Sequence, residues 1–237
     1  MPEQFYIPIL KIPIGRFLFL LISIILWFVL RPFLDGLTHL TPLMDLFVTL
    51  ILLSGVFALI QNRGVFIFGL IFALFTLFTR WILHLMHISS LDMINQILSI
   101  LFMGFIVGII LSSLFREEEI TSDIIMAAIC GYFLIGLLWN NVYHLLAILE
   151  PGAFQFSHTP GSRGEDFTYY SFVTLTTLGY GDITPVTDPA RSLSLLEAVT
   201  GQLYLAVLVA RLVGIHIAQS REKKPRPSAE KGKQTRF

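Results

Sequence analysis

The sequence predicts an all-α membrane protein of six spanning helices, with a re-entrant helix and an extended strand inserted between the fifth and the sixth. Three observations predict it. Hydrophobic residues make up 55% of the 237 and charged residues only 14%, against about 25% charged in ordinary globular domains. The mean hydropathy is +0.76. The apolar residues fall in stretches close to the roughly 20 residues that cross about 30 Å of hydrocarbon. The balance of 16 Lys+Arg against 16 Asp+Glu speaks against a nucleic-acid binder, which would be basic. A disordered chain would be polar. One cysteine rules out an internal disulfide framework and a cysteine-based zinc site.

The first span covers residues 14–30 and is expected to end at Arg31-Pro32. Lys11 and Arg16 precede it as they would a signal peptide, but no small-residue cleavage site follows, so it reads as a retained anchor. The second span, 43–60, is entered through Thr41-Pro42. The third, 65–79, follows the polar turn Gln61-Asn62-Arg63-Gly64, is the shortest, and has room to extend past Arg80 into Trp81-Ile82-Leu83. The fourth, 93–115, closes on the charged run Arg116-Glu117-Glu118-Glu119. The fifth, 124–149, stops at Glu150-Pro151-Gly152, and a polar loop over 154–164 follows. The sixth covers 192–217. Six spans place both termini on one side. Arg31, Arg80, Arg163 and Arg191 fall on the opposite side and the other twelve basic residues on the terminal side. The positive-inside rule therefore puts both termini in the cytoplasm.

The segment from Asp166 to Asp182 carries the functional signal. Its first part, about eleven residues, is too short to span. Its second part is a Thr-Leu-Gly-Tyr-Gly strand with Gly179 and Gly181 flanking Tyr180. Irregular backbone at membrane depth persists only where protein buries it or where it lines a watery cavity, which makes this a re-entrant loop. Thr176-Thr177-Leu178-Gly179-Tyr180-Gly181-Asp182 resembles the selectivity filter of the potassium channel family, with Leu where many members have Val. The pair Tyr169-Tyr170 sits where voltage-gated-type members carry paired aromatics. The resemblance covers about residues 123–217; the first four spans match in number and length alone.

The resemblance implies a potassium-selective channel. Stacked carbonyls replace the hydration shell of the ion, and the family implies that those of Thr177, Leu178, Gly179 and Tyr180 line the potassium sites, with Gly181 shaping the outer entrance. Glycine reaches positive φ at little cost, which suits Gly179 and Gly181. Thr176, Asp182, Tyr169 and Tyr170 are the expected filter supports: Tyr169, Tyr170 and Tyr180 as an aromatic cuff, with a hydroxyl on Asp182. Some members place a carboxylate four residues before the filter threonine. Here that position is Val173, so a buried carboxyl pair behind the filter is not expected. One chain supplies one loop and a ring needs four, so a homotetramer is expected.

The fourth span occupies the voltage-sensor position, yet it contains no Lys or Arg between Met93 and Phe115. Each gating charge is worth about 2.3 kcal/mol per 100 mV and several are needed, so steep voltage gating is not expected. In the sixth span Gly201 is the candidate hinge, with close helix packing as the other reading. Ala206 and Ala210 are candidates for the inner crossing or cavity. Arg211 is a candidate partner for Glu117, Glu118 or Glu119 at the gate, or a snorkelling side chain. His84 and His87 lack a third ligand and read as an interfacial pair, Cys130 reads as core, and His216 as bland.

The expected domains are a voltage-sensor-like four-helix unit without gating arginines (1–115), a cytoplasmic linker (116–122), a pore domain (123–220) and a basic cytoplasmic tail (221–237). The tail is short for a soluble regulatory domain and suits contact with anionic lipid. No cofactor beyond permeant potassium, no catalysis and no nucleic-acid partner are expected, and a bacterial plasma membrane is the expected location. The rivals are a non-selective cation channel and a six-span transporter. A transporter would show internal repeats and ionisable residues near the midplane, whereas the ionisable residues here are read as clustering at the span ends.

Overall fold

The computed structural model describes residues 17–34, 51, 54–55, 63–86, 92–116, 119–157 and 165–222. Six helices and two short strands are described: α1 (Leu18–Leu34), α2 (Arg63–Met86), α3 (Asp92–Arg116), α4 (Ser122–Leu149), β1 (Phe154–Phe156), α5 (Glu165–Leu175), β2 (Ile183–Pro185) and α6 (Asp188–Glu222). The third expected span does run on past Arg80, to Met86. The second expected span lies outside the described residues except for Ile51, Ser54 and Gly55. Among the described residues, three helices are long and apolar enough to cross a membrane: Met93–Arg116, Ser122–Leu149 and Asp188–Ser220. Shorter apolar helices cover Leu18–Leu30 and Arg63–Thr79. The chain is a multi-pass membrane protein, apolar outside as well as inside: Phe19, Ile22, Leu26 and Val29 of α1 face outward while Leu20, Ile24 and Trp27 are buried.

α4 is the central element. Thr121 caps its start, its hydroxyl accepting from the Ile124 N–H at 3.3 Å. Asp123 sits in the first turn, where the helix dipole favours an acid, and also accepts from the Phe17 N–H at 3.3 Å, fixing the start of α1 beside it. α3 makes the most extensive helix contact with α4 among the described elements. Residues 117–121 connect the two, and so short a link between packed helices makes them an antiparallel pair. Ile106 and Ile110 of α3 and Ala127, Cys130 and Leu134 of α4 belong to one core with the inner stripe of α1. Cys130 is fully buried there.

The stretch expected as a polar loop from 154 begins instead as β1. It pairs antiparallel with β2 in the register Phe154↔Pro185, Gln155↔Thr184 and Phe156↔Ile183. Bonds from Ser157 N–H to the Asp182 carbonyl (2.9 Å) and from Val186 N–H to the Ala153 carbonyl (2.8 Å) extend the pairing at both ends. Alternating aromatic and polar residues carry the strand: Phe154 is buried and Gln155 exposed. This ribbon clasps the chain before α5 to the chain after residue 182. Above it, Tyr143, Phe154, Phe167 and Tyr170 form an edge-to-face cluster with ring separations of 5.0–5.5 Å, the geometry aromatic quadrupoles favour.

Candidate functional site

α5 is an eleven-residue helix that stops where the strand begins. Its last turn is closed by the strand itself. Thr177 N–H donates to the Thr174 carbonyl at 2.9 Å, and the N–H groups of Leu178 and Gly179 both donate to the Val173 carbonyl, at 2.9 and 3.3 Å. The carbonyl end of α5 therefore abuts the strand, and with it the negative end of the helix dipole, which attracts a cation.

The backbone then alternates in hand. Thr177, Gly179 and Gly181 have φ of 58°, 57° and 80°, while Leu178 and Tyr180 have negative φ. In a β-strand successive carbonyls point to opposite sides. A chain that alternates left- and right-handed residues turns successive peptide planes the same way, as a carbonyl-lined strand requires. Glycine adopts this at little cost. Thr177 is β-branched, and positive φ is a true outlier for it. Its hydroxyl is fixed on both sides, donating to the Thr176 carbonyl at 2.6 Å and accepting from the Gln202 amide of α6 at 3.3 Å.

The expected filter supports divide. Tyr169 stacks on Tyr180, with centroids 6.4 Å apart and planes 7° from parallel, and its hydroxyl reaches the Asp182 carboxylate. Tyr170 turns the other way, into the aromatic cluster, where its hydroxyl meets Ser194 of α6 at 2.6 Å. Thr176 folds back to donate to the Phe172 carbonyl at 2.6 Å. Residues 176–181 are all exposed in the single chain, Leu178 at 55% and Tyr180 at 65%.

On α6, Gly201 is buried within a helix that continues unbroken through it. A Cβ there would overlap the carbonyl oxygen of Leu175, the last residue of α5. Close approach of α5 and α6 thus accounts for this glycine. Ala206 and Ala210 are exposed. Arg211 donates through Nε to the Leu114 carbonyl at 2.7 Å and lies 5.4 Å over the Phe115 ring. It caps the end of α3, where helical carbonyls lack intrahelical donors. Of its three expected partners, Glu117 and Glu118 lie outside the described residues, as does the basic tail from 223, and Glu119 is exposed.

The ionisable residues, expected at the span ends, are not confined to them. Glu197 of α6 is fully buried, accepting from the hydroxyls of Tyr143 and Ser171, each at 2.5 Å. The signal was available: an acid within the apolar run Leu195-Leu196-Glu197-Ala198-Val199 is by itself a reason to look for a partner. The Gln202 contact with Thr177 was also missed, and nothing in the local sequence marks it.

Residues 132–216, which include Tyr143, α5, the strand, Glu197, Gly201 and Arg211, match the protein family described as "Ion channel". The chain is similar to "Two-pore potassium channel 4" of Arabidopsis thaliana, 38% identical over 68 residues, covering 29% of this chain and 24% of that protein. It is also similar to "Two pore potassium channel c" of Oryza sativa subsp. japonica, 36% identical over 81 residues, covering 34% and 17%. With "Protein LctB" of Bacillus caldotenax it is 26% identical over 125 residues, covering 47% of this chain and 92% of that protein. The chain thus spans a quarter or less of the plant relatives' length. Together these matches support an ion channel function for this membrane protein.

Proposed function

We propose that this chain is one subunit of a homotetrameric, potassium-selective channel that conducts the ion passively down its gradient. The observation that carries the reading is the alternation of positive φ at Thr177, Gly179 and Gly181 directly beyond the carbonyl end of α5. The carbonyls of Thr177, Leu178, Gly179 and Tyr180 form the potassium sites, and Gly181 shapes the mouth. Thr176, Asp182 and Tyr169 hold the strand from behind. Residues 116–122 link a four-helix unit (1–115) to the pore unit (123–220), followed by a basic tail. The tetramer is supported by α6, whose Leu195, Leu196, Val199, Leu203 and Val207 are exposed in the single chain, and by the exposure of the strand itself. The packing of α3 on α4 of the same chain supports a four-helix unit seated on its own pore unit rather than a neighbour's.

The channel lies in a plasma membrane with both termini cytoplasmic, needs no cofactor beyond permeant potassium, and ignores voltage because its fourth span lacks Lys and Arg between Met93 and Phe115. Flux from liposomes tests the reading. Potassium-loaded vesicles carrying the purified protein should release their ion down its gradient, and sodium-loaded ones should not. Equal release of both ions would favour a non-selective cation channel, and uptake against a gradient would favour a transporter.

A further inference from the structure

An acid kept among membrane helices is costly, and its partners show what it is for. Glu197 touches two other helices at once. Tyr143 of α4 donates to Oε2 and Ser171 of α5 donates to Oε1, both at 2.5 Å. Ser171 is itself fully buried, and its Oγ also lies 2.7 Å from the Gly136 carbonyl of α4. Three helices therefore meet at one carboxyl group.

Its place along the helices matters. α5 and α6 run in the same direction along a shared seam. Tyr170 meets Ser194, Ser171 meets Glu197, Leu175 meets Gly201 and Thr177 meets Gln202. From Ser171 to Leu175, and from Glu197 to Gly201, is about one helical turn on each side. The carboxyl group thus sits one turn before the point where α5 gives way to the strand. Apolar packing at this seam would hold α5 against α6 but would leave its height and rotation weakly defined. Directional bonds to both neighbours define them.

We infer that Glu197 is a positioning residue for the ion sites. It sets the height of α5 between α4 and α6 and so holds the carbonyls of Thr177–Tyr180 at the spacing potassium requires. This rests on the channel reading above. The hydrogen-bond inventory predicts which substitution is tolerated. A glutamine at 197 can accept from Tyr143 through its carbonyl and donate its amide to Ser171, whose hydroxyl then donates to Gly136. A leucine can do neither.

The test is calorimetric titration of potassium, against a sodium background, into the purified full-length protein: wild type, E197Q, E197L, S171A and Y143F. Wild type and E197Q should bind alike. E197L should bind about tenfold more weakly, the scale of one lost buried hydrogen bond, with S171A and Y143F between. A merely structural role would lower thermal stability in potassium and sodium equally and leave the affinity unchanged. Unchanged affinity in E197L overturns the inference. If E197L does not fold, unchanged affinity in S171A and Y143F does so. A wild type that binds no potassium overturns the channel reading and this inference with it, whereas a binding wild type with unaltered variants overturns this inference alone.

Discussion

Gly201 and Gly214 sit on the same helix and differ in what an added methyl group would meet. At Gly201 a Cβ overlaps the Leu175 carbonyl oxygen and lies 3.0 Å from both the carbonyl carbon and Cδ1 of that residue. At Gly214 nothing lies within 4 Å. Alanine gains about 1 kcal/mol of helix propensity over glycine at either site, so the difference between the two variants isolates the clash. The obstacle at Gly201 is backbone at the end of α5 and cannot rotate away. Overpacking of this kind costs about 1–3 kcal/mol. G201A should therefore be less stable than G214A by that amount, about 5- to 150-fold in the unfolding equilibrium. G214A should match or exceed wild type. Denaturant-induced unfolding of the purified protein in detergent measures all three. Equal stability of G201A and G214A would refute the close approach of α5 and α6 and leave the glycine to be explained by bending.

Three further outcomes are expected. Y204F removes the hydroxyl that donates to the Ala128 carbonyl at 2.5 Å and should cost about 1 kcal/mol in the same unfolding assay. R211Q removes the cap on the Leu114 carbonyl and the cation over Phe115, which should cost about 1–2 kcal/mol and change open probability at fixed voltage in single-channel records; an unaltered open probability would separate α3 from the gate. G179A forces a side chain into φ 57° at about 1–2 kcal/mol and should abolish potassium release from loaded vesicles while the protein still folds.

The helices that the structure describes were legible because lipid imposes an apolar composition on each. Breaks were legible only in part: α4 ends at Leu149 just before Glu150-Pro151-Gly152, but α1 runs through its expected end at Arg31-Pro32 to Leu34 and α2 runs through Arg80 to Met86. A proline within a turn of a helix end costs little there, and a lone arginine does not break a helix. The strand was legible because Gly179 and Gly181 alternate, and alternation is a backbone demand that glycine meets visibly. Thr177 meets the same demand without glycine, and its left-handed φ has no sequence signature. The β1–β2 ribbon was missed because three-residue strands are too short to show a period. Tyr170 was assigned to the cuff with Tyr169, but adjacent residues on a helix do not share a face, and Tyr170 points to Ser194. Glu197 was missed for another reason: its partners Ser171 and Tyr143 lie 26 and 54 residues away, and a satisfied buried acid is indistinguishable in sequence from a solvated one except by its apolar neighbours.

The central claim is that the backbone from Thr177 to Gly181 selects potassium. Its most direct test is the reversal potential of the purified protein in a planar bilayer, with potassium on one side and sodium on the other, under a voltage ramp. The account predicts reversal close to the potassium equilibrium potential and an open probability that does not follow voltage. Reversal near zero would contradict it.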